Sequence, residues 1–179
     1  QWAITVESRI DSTITMPYVI EILPPPSVTA QSSSSPSWLR SVFAINDQTC
    51  WSVGNDGIIQ KTVDGGTSWE TQTSGTSSVL YSVYFTDTQT GWAVGQYGTI
   101  LNTINGGEKW NFQSSHTDDN LQSVFFINGH TGWAVGRTGT ILKTTDSGVN
   151  WESQTSGTIS WLYAICFKDA YNGWAVGSN

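Results

Sequence analysis

Positive charge is what this chain has least of. Seven Lys and Arg stand against fourteen Asp and Glu, only 12% of the 179 residues are charged, and the net charge is −7. Nucleic acid needs a basic stripe and an anionic membrane attracts one, so this balance argues against both partners. Helical periodicity is missing, and no apolar run approaches the length of a helix or a membrane span. No signal peptide is visible, and Gln1 rather than Met opens the sequence, as in a processed form or a fragment. The two cysteines, Cys50 and Cys166, offer neither a CxxC pair nor Cys/His spacing for zinc. No phosphate-cradling glycine loop opens a helix, and no cofactor is implied. The polar surface is instead Ser, Thr, Asn and Gln, a composition that suits a secreted or cell-surface protein.

What the chain has in abundance is repetition. Tryptophan recurs in Gly-Trp-Ala-Val-Gly or a close variant at Trp51, Trp92, Trp133 and Trp174, each 41 residues after the last. A second series holds the same period at Trp69, Trp110 and Trp151. Within a unit, runs such as Leu80–Phe85, Gly91–Gly95, Gly98–Thr103 and Lys109–Gln113 are short, rich in β-branched and aromatic residues, and bounded by turn formers. Four short strands per period of this length is the arithmetic of a propeller blade. The predicted fold is therefore all-β: a propeller-like array of about three and a half 41-residue blades, with an N-terminal strand or hairpin extension. In Trp92-Ala93-Val94-Gly95 large and small side chains alternate, so Trp and Val of one blade are expected to fill space left by Ala and Gly of the next. Core packing is thus the expectation for the seven periodic tryptophans.

A compact turn separates the third and fourth strands. Asp64, Asn105 and Asp146 hold one position in it, Gly66, Gly107 and Gly148 follow two residues on, and Trp69, Trp110 and Trp151 close it. A short acceptor side chain bonds the N–H groups of its own turn there, while glycine supplies positive φ. This turn resembles the Asp-box hairpin (BNR repeat) of sialidase-like propellers. With its Gly-Thr-Ile-Leu-x-Thr strand, the unit resembles the repeats of the photosystem II assembly and stability factor family (Ycf48/HCF136-like) and secreted bacterial relatives, over about residues 38–177. The resemblance implies a propeller commonly of seven blades that binds partners through a basic patch. Only Arg137 could contribute to such a patch here, so the photosystem role is not carried over.

The two ends differ from the middle. Repeats cover 38–78, 79–119 and 120–160, and residues 161–179 hold only the first two strands of a fourth unit. An unpaired strand edge invites a partner. Residues 1–23 read as an extension of two strands: Ala3–Ile10, a turn at Asp11-Ser12, then a run in which Ile14, Met16, Tyr18, Ile20 and Ile22 share one face. Residues 24–37 are a Pro/Ser-rich linker. Three arrangements stay open: the extension closes a ring in cis, it reaches a second subunit, or the chain is part of a longer propeller.

Chemistry is sparse. Sialidase-like hydrolysis needs converging arginines with acidic partners, whereas Arg9, Arg40 and Arg137 are dispersed, so no enzyme is expected. His116, Asp118 and Asp119 form the one local metal-like group, and read best as a solvated loop. Cys50 and Cys166 both depart from the repeat, and either a disulfide or two free thiols is compatible with that. Trp38 and Trp161 open their units near a blade boundary, which makes them candidate contacts for a subunit or ligand. The variable loop pairs Asn55-Asp56, Gln96-Tyr97 and Arg137-Thr138 share one face. The functional expectation is a non-enzymatic structural protein that self-assembles head-to-tail, into filaments, by N-terminal strand complementation of the incomplete blade. The alternative is a monomeric recognition or assembly-factor module that binds a protein or glycan through its loop face.

Overall fold

The computed structural model of the chain describes residues 37–178. The expected extension with Ile14, Met16, Tyr18, Ile20 and Ile22, and the linker up to residue 36, lie outside the described residues. The regular structure of these residues is all strand apart from three single 3-10 turns. Blade 1 comprises β1 (Leu39–Ala44), β2 (Cys50–Gly54), β3 (Ile59–Thr62) and β4 (Glu70–Gln72). Blade 2 comprises β5 (Leu80–Phe85), β6 (Gly91–Gly95), β7 (Ile100–Thr103) and β8 (Asn111–Gln113). Blade 3 comprises β9 (Leu121–Phe126), β10 (Gly132–Gly136), β11 (Ile141–Thr144) and β12 (Glu152–Gln154). β13 (Leu162–Phe167) and β14 (Gly173–Gly177) pair with each other alone among the described residues. Each sheet is an antiparallel meander in chain order, with a register shift near the start of its first strand.

The third strand begins at Ile100 rather than Gly98, because Gln96–Gly98 closes a single 3-10 turn; residues 55–57 and 137–139 do the same. The middle residues Asp56, Tyr97 and Thr138 take φ of 58°, 54° and 55°, which brings the backbone round in so few residues.

Blades stack through a repeated aromatic contact. Trp51 of blade 1 lies flat on Phe85 of blade 2 at 3.6 Å between centroids, Trp92 on Phe126 at 3.6 Å, and Trp133 on Phe167 at 3.7 Å. Such pairs contribute about 0.5–1.5 kcal/mol each beyond their buried area. Ala93 joins the cluster of Trp51 and Val53, as the large–small alternation requires. The space beside Gly95 is filled differently from the expectation, since a Cβ there would meet the Val79 carbonyl just before β5 rather than a side chain of the next blade. Phe85 and Gly91 are cross-strand partners, and a Cβ on Gly91 would sit 2.5 Å from the Phe85 ring of its own blade. The blade's own Phe, held under the neighbour's Trp, takes that room. Serine hydroxyls stitch the first strands together, Ser41 accepting the Val83 N–H, Ser82 that of Val124 and Ser123 that of Ile165.

One expectation is corrected here, and one left open is narrowed. Trp174 is 62% exposed, unlike Trp51, Trp92 and Trp133, because among the described residues no further Phe lies beyond it. Cys50 and Cys166 are free rather than disulfide-linked. They belong to the first and last blades, and blades 2 and 3 are stacked between them. Burial raises the pKa of the Cys50 thiol.

Candidate functional site

The two ends of each blade do different work. At one end sit the Asp-box turns. Thr62, buried at the end of β3, donates its hydroxyl to Asp64 Oδ1 (2.7 Å) and accepts the Gly66 N–H (2.9 Å). Asp64 in turn accepts the Ser68 N–H (2.9 Å) and hydroxyl (2.6 Å). Thr103, Asn105 and Gly107 repeat this set in blade 2, and Thr144, Asp146 and Gly148 in blade 3. The Ser68 hydroxyl and N–H, helped by Thr62, lower the Asp64 pKa to about 2. Asn150 N–H and side-chain amide, with Thr144, lower that of Asp146. Gly107 has φ 93°, and a Cβ there would meet Gln72 Oε1 of blade 1, so two constraints demand glycine at one place.

These turns are consumed by the stack. The Gly106 carbonyl accepts Trp51 Nε1 (3.3 Å), Lys61 Nζ (3.1 Å) and Gln72 Nε2 (3.1 Å), all from blade 1. The Ser147 carbonyl accepts Trp92 Nε1 (3.3 Å) and Gln113 Nε2 (2.9 Å) from blade 2. Trp110 Nε1 returns a bond to Gln72 Oε1, and Trp151 Nε1 one to Gln113 Oε1. Asp64, Asn105 and Asp146 therefore shape a turn, and in blades 2 and 3 that turn bolts its blade to the one before it. The buried Thr and the glutamine clamps Gln72 and Gln113 were not singled out in the sequence, although Thr62, Thr103, Thr144 and Gln72, Gln113, Gln154 keep the 41-residue period.

The opposite end carries the variable residues. There the 3-10 turns meet the loops that lead from one blade to the next, since alternate strand connections share an end. Within blade 1, Arg40 Nε donates to Asn55 Oδ1 and the Ser37 hydroxyl, just before β1, to Asp56 Oδ2. Trp38 is 74% exposed and carries Arg40 at 5.9 Å from its ring. At the second junction Asn120 Oδ1 accepts the Tyr97 N–H, and a shallow cleft of about 480 Å³ runs between Tyr97, Phe112, His116 and Asp118. Asp119 accepts the hydroxyls of Thr138 and Thr140. His116, Asp118 and Asp119 thus share a loop, but among the described residues no three His, Cys, Asp or Glu side chains gather as a metal site.

The third junction is chemically richer. The Arg137 guanidinium lies 5.2 Å over the half-buried Trp161 ring, and Tyr163 stands 6.1 Å from Trp161. Tyr163 is half exposed, and Ile159 on the loop between them is exposed. A cation and two aromatic rings are brought together by residues 24 and 26 positions apart in sequence. Both candidate contact tryptophans carry an arginine, and among the described residues Trp161 also has a second aromatic ring beside it.

Comparison with known proteins follows these features. A family model described as photosynthesis system II assembly factor YCF48 matches residues 68–158, 91 of the 179. A search among curated proteins found no match. Among solved structures, YCF48 bound to D1 peptide is similar at 23% identity and TM-score 0.68, covering 82% of this chain and 48% of that one. YCF48 from Cyanidioschyzon merolae is similar at 21% identity and TM-score 0.67, covering 82% and 52%. The chain thus spans about half the length of the YCF48 structures it matches. A GH74 enzyme from Niastella koreensis shares the blade fold at 14% identity and TM-score 0.58, covering 78% of this chain and 26% of that one. At these identities the structures speak for the fold, and the family match, which falls on the Asp-box repeats, speaks for descent: the chain belongs to the photosystem II assembly factor YCF48 family.

Proposed function

We propose that the chain is a non-enzymatic protein-recognition module that takes an extended segment of a partner protein on the rim carrying Arg137, Trp161 and Tyr163. The observation that carries this reading is the Arg137–Trp161–Tyr163 cluster, partly exposed on the 3-10 turn of blade 3 and the start of β13, at the end where the loop residues vary while the scaffold repeats. Arg, Trp and Tyr are the residue types that dominate binding energy at protein interfaces. A YCF48 structure bound to D1 peptide supports a peptide as the class of ligand. The carboxylates of the Asp-box turns are committed to backbone and hydroxyl donors, which favours binding over hydrolysis.

Selection from a displayed peptide library, with the D1 peptide included, followed by titration of the winners, tests this. Arg137→Ala and Trp161→Ala should each weaken binding about 30-fold, the loss of a 2 kcal/mol hot spot. Lys109→Ala, at the opposite end of the blade, should leave it unchanged. Peptides that bind equally well to all three variants would refute the rim as the site. An extracellular or surface setting, which the composition suits, belongs to the same proposal and is checked by cell fractionation.

A second reading keeps head-to-tail, filament-forming assembly by strand complementation. It is favoured by β14, whose outer edge is unpaired among the described residues and whose five residues are all exposed.

A further inference from the structure

Each blade has a hollow beside the loop that follows its outer strand, and in blade 2 the chemistry of that hollow changes. Blade 1 lines it with Asp56, Thr71, Gly75 and Ser77, and blade 3 with Ser153, Gly157 and Ile159. In blade 2 the residues at the matching positions of the repeat are Tyr97, Phe112, His116 and Asp118. Tyr97 is 71% exposed and Phe112 61%, and neither ring touches another aromatic among the described residues. The Phe112 ring is seated against the loop of blade 1, where a Cβ on Gly75 would lie 3.5 Å from its Cε2. Backbone strain marks the same place. His116 has φ 56°, where Gly75 and Gly157 have 78° and 76°. The turn itself asks for glycine, so the imidazole is kept at a cost that the fold does not require. Asp119 is committed to the hydroxyls of Thr138 and Thr140, whereas the Asp118 carboxylate makes no hydrogen bond or ion pair among the described residues.

We propose that the blade 2 cleft holds a basic side chain, lysine or arginine, of the partner segment taken by the Arg137 rim. The inference rests on that recognition reading and names one residue class it selects. A carboxylate beside two exposed aromatic faces favours a cation carried on an aliphatic stem. The stem packs along the rings, and the charged end meets Asp118 and the negative ring faces. A neutral or anionic ligand would leave the Asp118 charge unanswered. The chain as a whole, with a net charge of −7, draws the same kind of ligand. The neighbouring cation Arg137 is turned onto Trp161, 5.2 Å from its ring. Asn120 joins the two places, its Oδ1 accepting the Tyr97 N–H at 3.1 Å and its carbonyl the Arg137 N–H at 2.9 Å. One residue thus holds the two turns side by side. An extended segment lying across them puts one side chain into the blade 2 cleft and others on Trp161 and Tyr163.

The test uses the full chain, isotope-labelled for NMR, and small probes at fixed ionic strength. N-acetyl-arginine methylamide should shift the amide signals of Gly98, Gln113 and Asp118. The matching citrulline compound, which has the same shape without the charge, should bind about tenfold more weakly, the loss of one charged hydrogen bond. Asp118→Asn should cost the same factor, and Phe112→Ala about two- to fivefold for one cation–π contact. A chain with Tyr97→Thr, Phe112→Ser, His116→Gly and Asp118→Ser should keep its fold and lose the shifts, since Thr138, Ser153, Gly157 and Ser77 stand at those positions in the other blades. Equal binding of the arginine and citrulline compounds, shifts with methyl glucoside alone, or no shift with the arginine compound would each overturn the cation site. Peptides selected on the rim that need Arg137 but bind equally well with lysine and arginine replaced by glutamine would overturn the cleft as part of that site and leave the rim standing. Arginine binding in the cleft, with no peptide that depends on Arg137 or Trp161, would overturn the rim and its shared partner segment and leave a cation site alone.

Discussion

Gly132→Ala adds a single methyl group to the chain, yet the structure gives it a defined cost. Gly132 faces Phe126 across β9 and β10, and the new Cβ would lie 2.5 Å from Cδ1 and Cε1 of that ring. Phe126 has nowhere to go, being 1% exposed, stacked under Trp92 at 3.6 Å and met edge-on by Trp151. Overpacking of this kind costs about 1–3 kcal/mol. The gain from replacing glycine in a strand offsets about 0.5–1 kcal/mol of it. Phe126→Ala alone should cost about 3–5 kcal/mol, as the loss of a buried aromatic ring does. In that background the methyl of Gly132→Ala enters the space the ring vacated, so the second change should cost nothing and recover the glycine term. The cycle should therefore show a favourable coupling of about 1–3 kcal/mol. Blade 1 already carries the exchange, with Ala44 opposite Cys50 where the other blades have Phe opposite Gly. Urea midpoints followed by tryptophan fluorescence for the wild type, both single variants and the double variant supply the four corners. Costs that add within about 0.5 kcal/mol would refute the claim that ring and glycine occupy one space.

Two further outcomes follow from the Asp-box turns. Gln113→Ala removes the Oε1 that receives the Trp151 indole N–H and the Nε2 that serves Ser147, and should lower stability by about 1–3 kcal/mol in the same urea assay; a midpoint unchanged from wild type would show the clamp to be idle. The folded-state pKa of Asp64 is about 2 against an ordinary 3.8, so its contribution is present above the ordinary value and is lost as pH falls toward 2. Asp146 is shifted the same way. Asn105 fills the same turn without a charge, so Asp64→Asn with Asp146→Asn should fold and show a shallower loss of stability between about pH 4 and 2. Identical acid profiles for variant and wild type would contradict the assignment.

Much of this architecture could be read in advance because its signals are local and repeated. The 41-residue spacing of Trp51, Trp92, Trp133 and Trp174 announced blades, and turn formers at Asp64, Asn105 and Asp146 marked the hairpins. Strand ends were less legible. Gly98 and Thr99 looked like strand, but the left-handed Tyr97 and the 3-10 turn around it delay β7 to Ile100. The glutamine clamps are periodic, but a glutamine on a short outer strand reads as solvent-facing until the next blade's turn is placed against it. The rim cluster was half visible: Trp161 stood out, whereas Arg137 and Tyr163 gained meaning only from their distance to it.

The sequence by itself determined the unit, its strand chemistry and its capped turns, because those depend on residues a few positions apart. Only the tertiary structure decided what each side chain of a unit is for. Identical motifs meet different neighbours, so Trp92 is buried on Phe126 while Trp174, in the same Gly-Trp-Ala-Val-Gly, faces outward. Likewise Gln113 bolts two blades together, and Gln154, at the same place in its repeat, donates to the Glu152 and Ser153 carbonyls of its own strand. Periodicity fixes the position of a residue within its blade, and the presence or absence of the adjoining surface fixes its energy and its role.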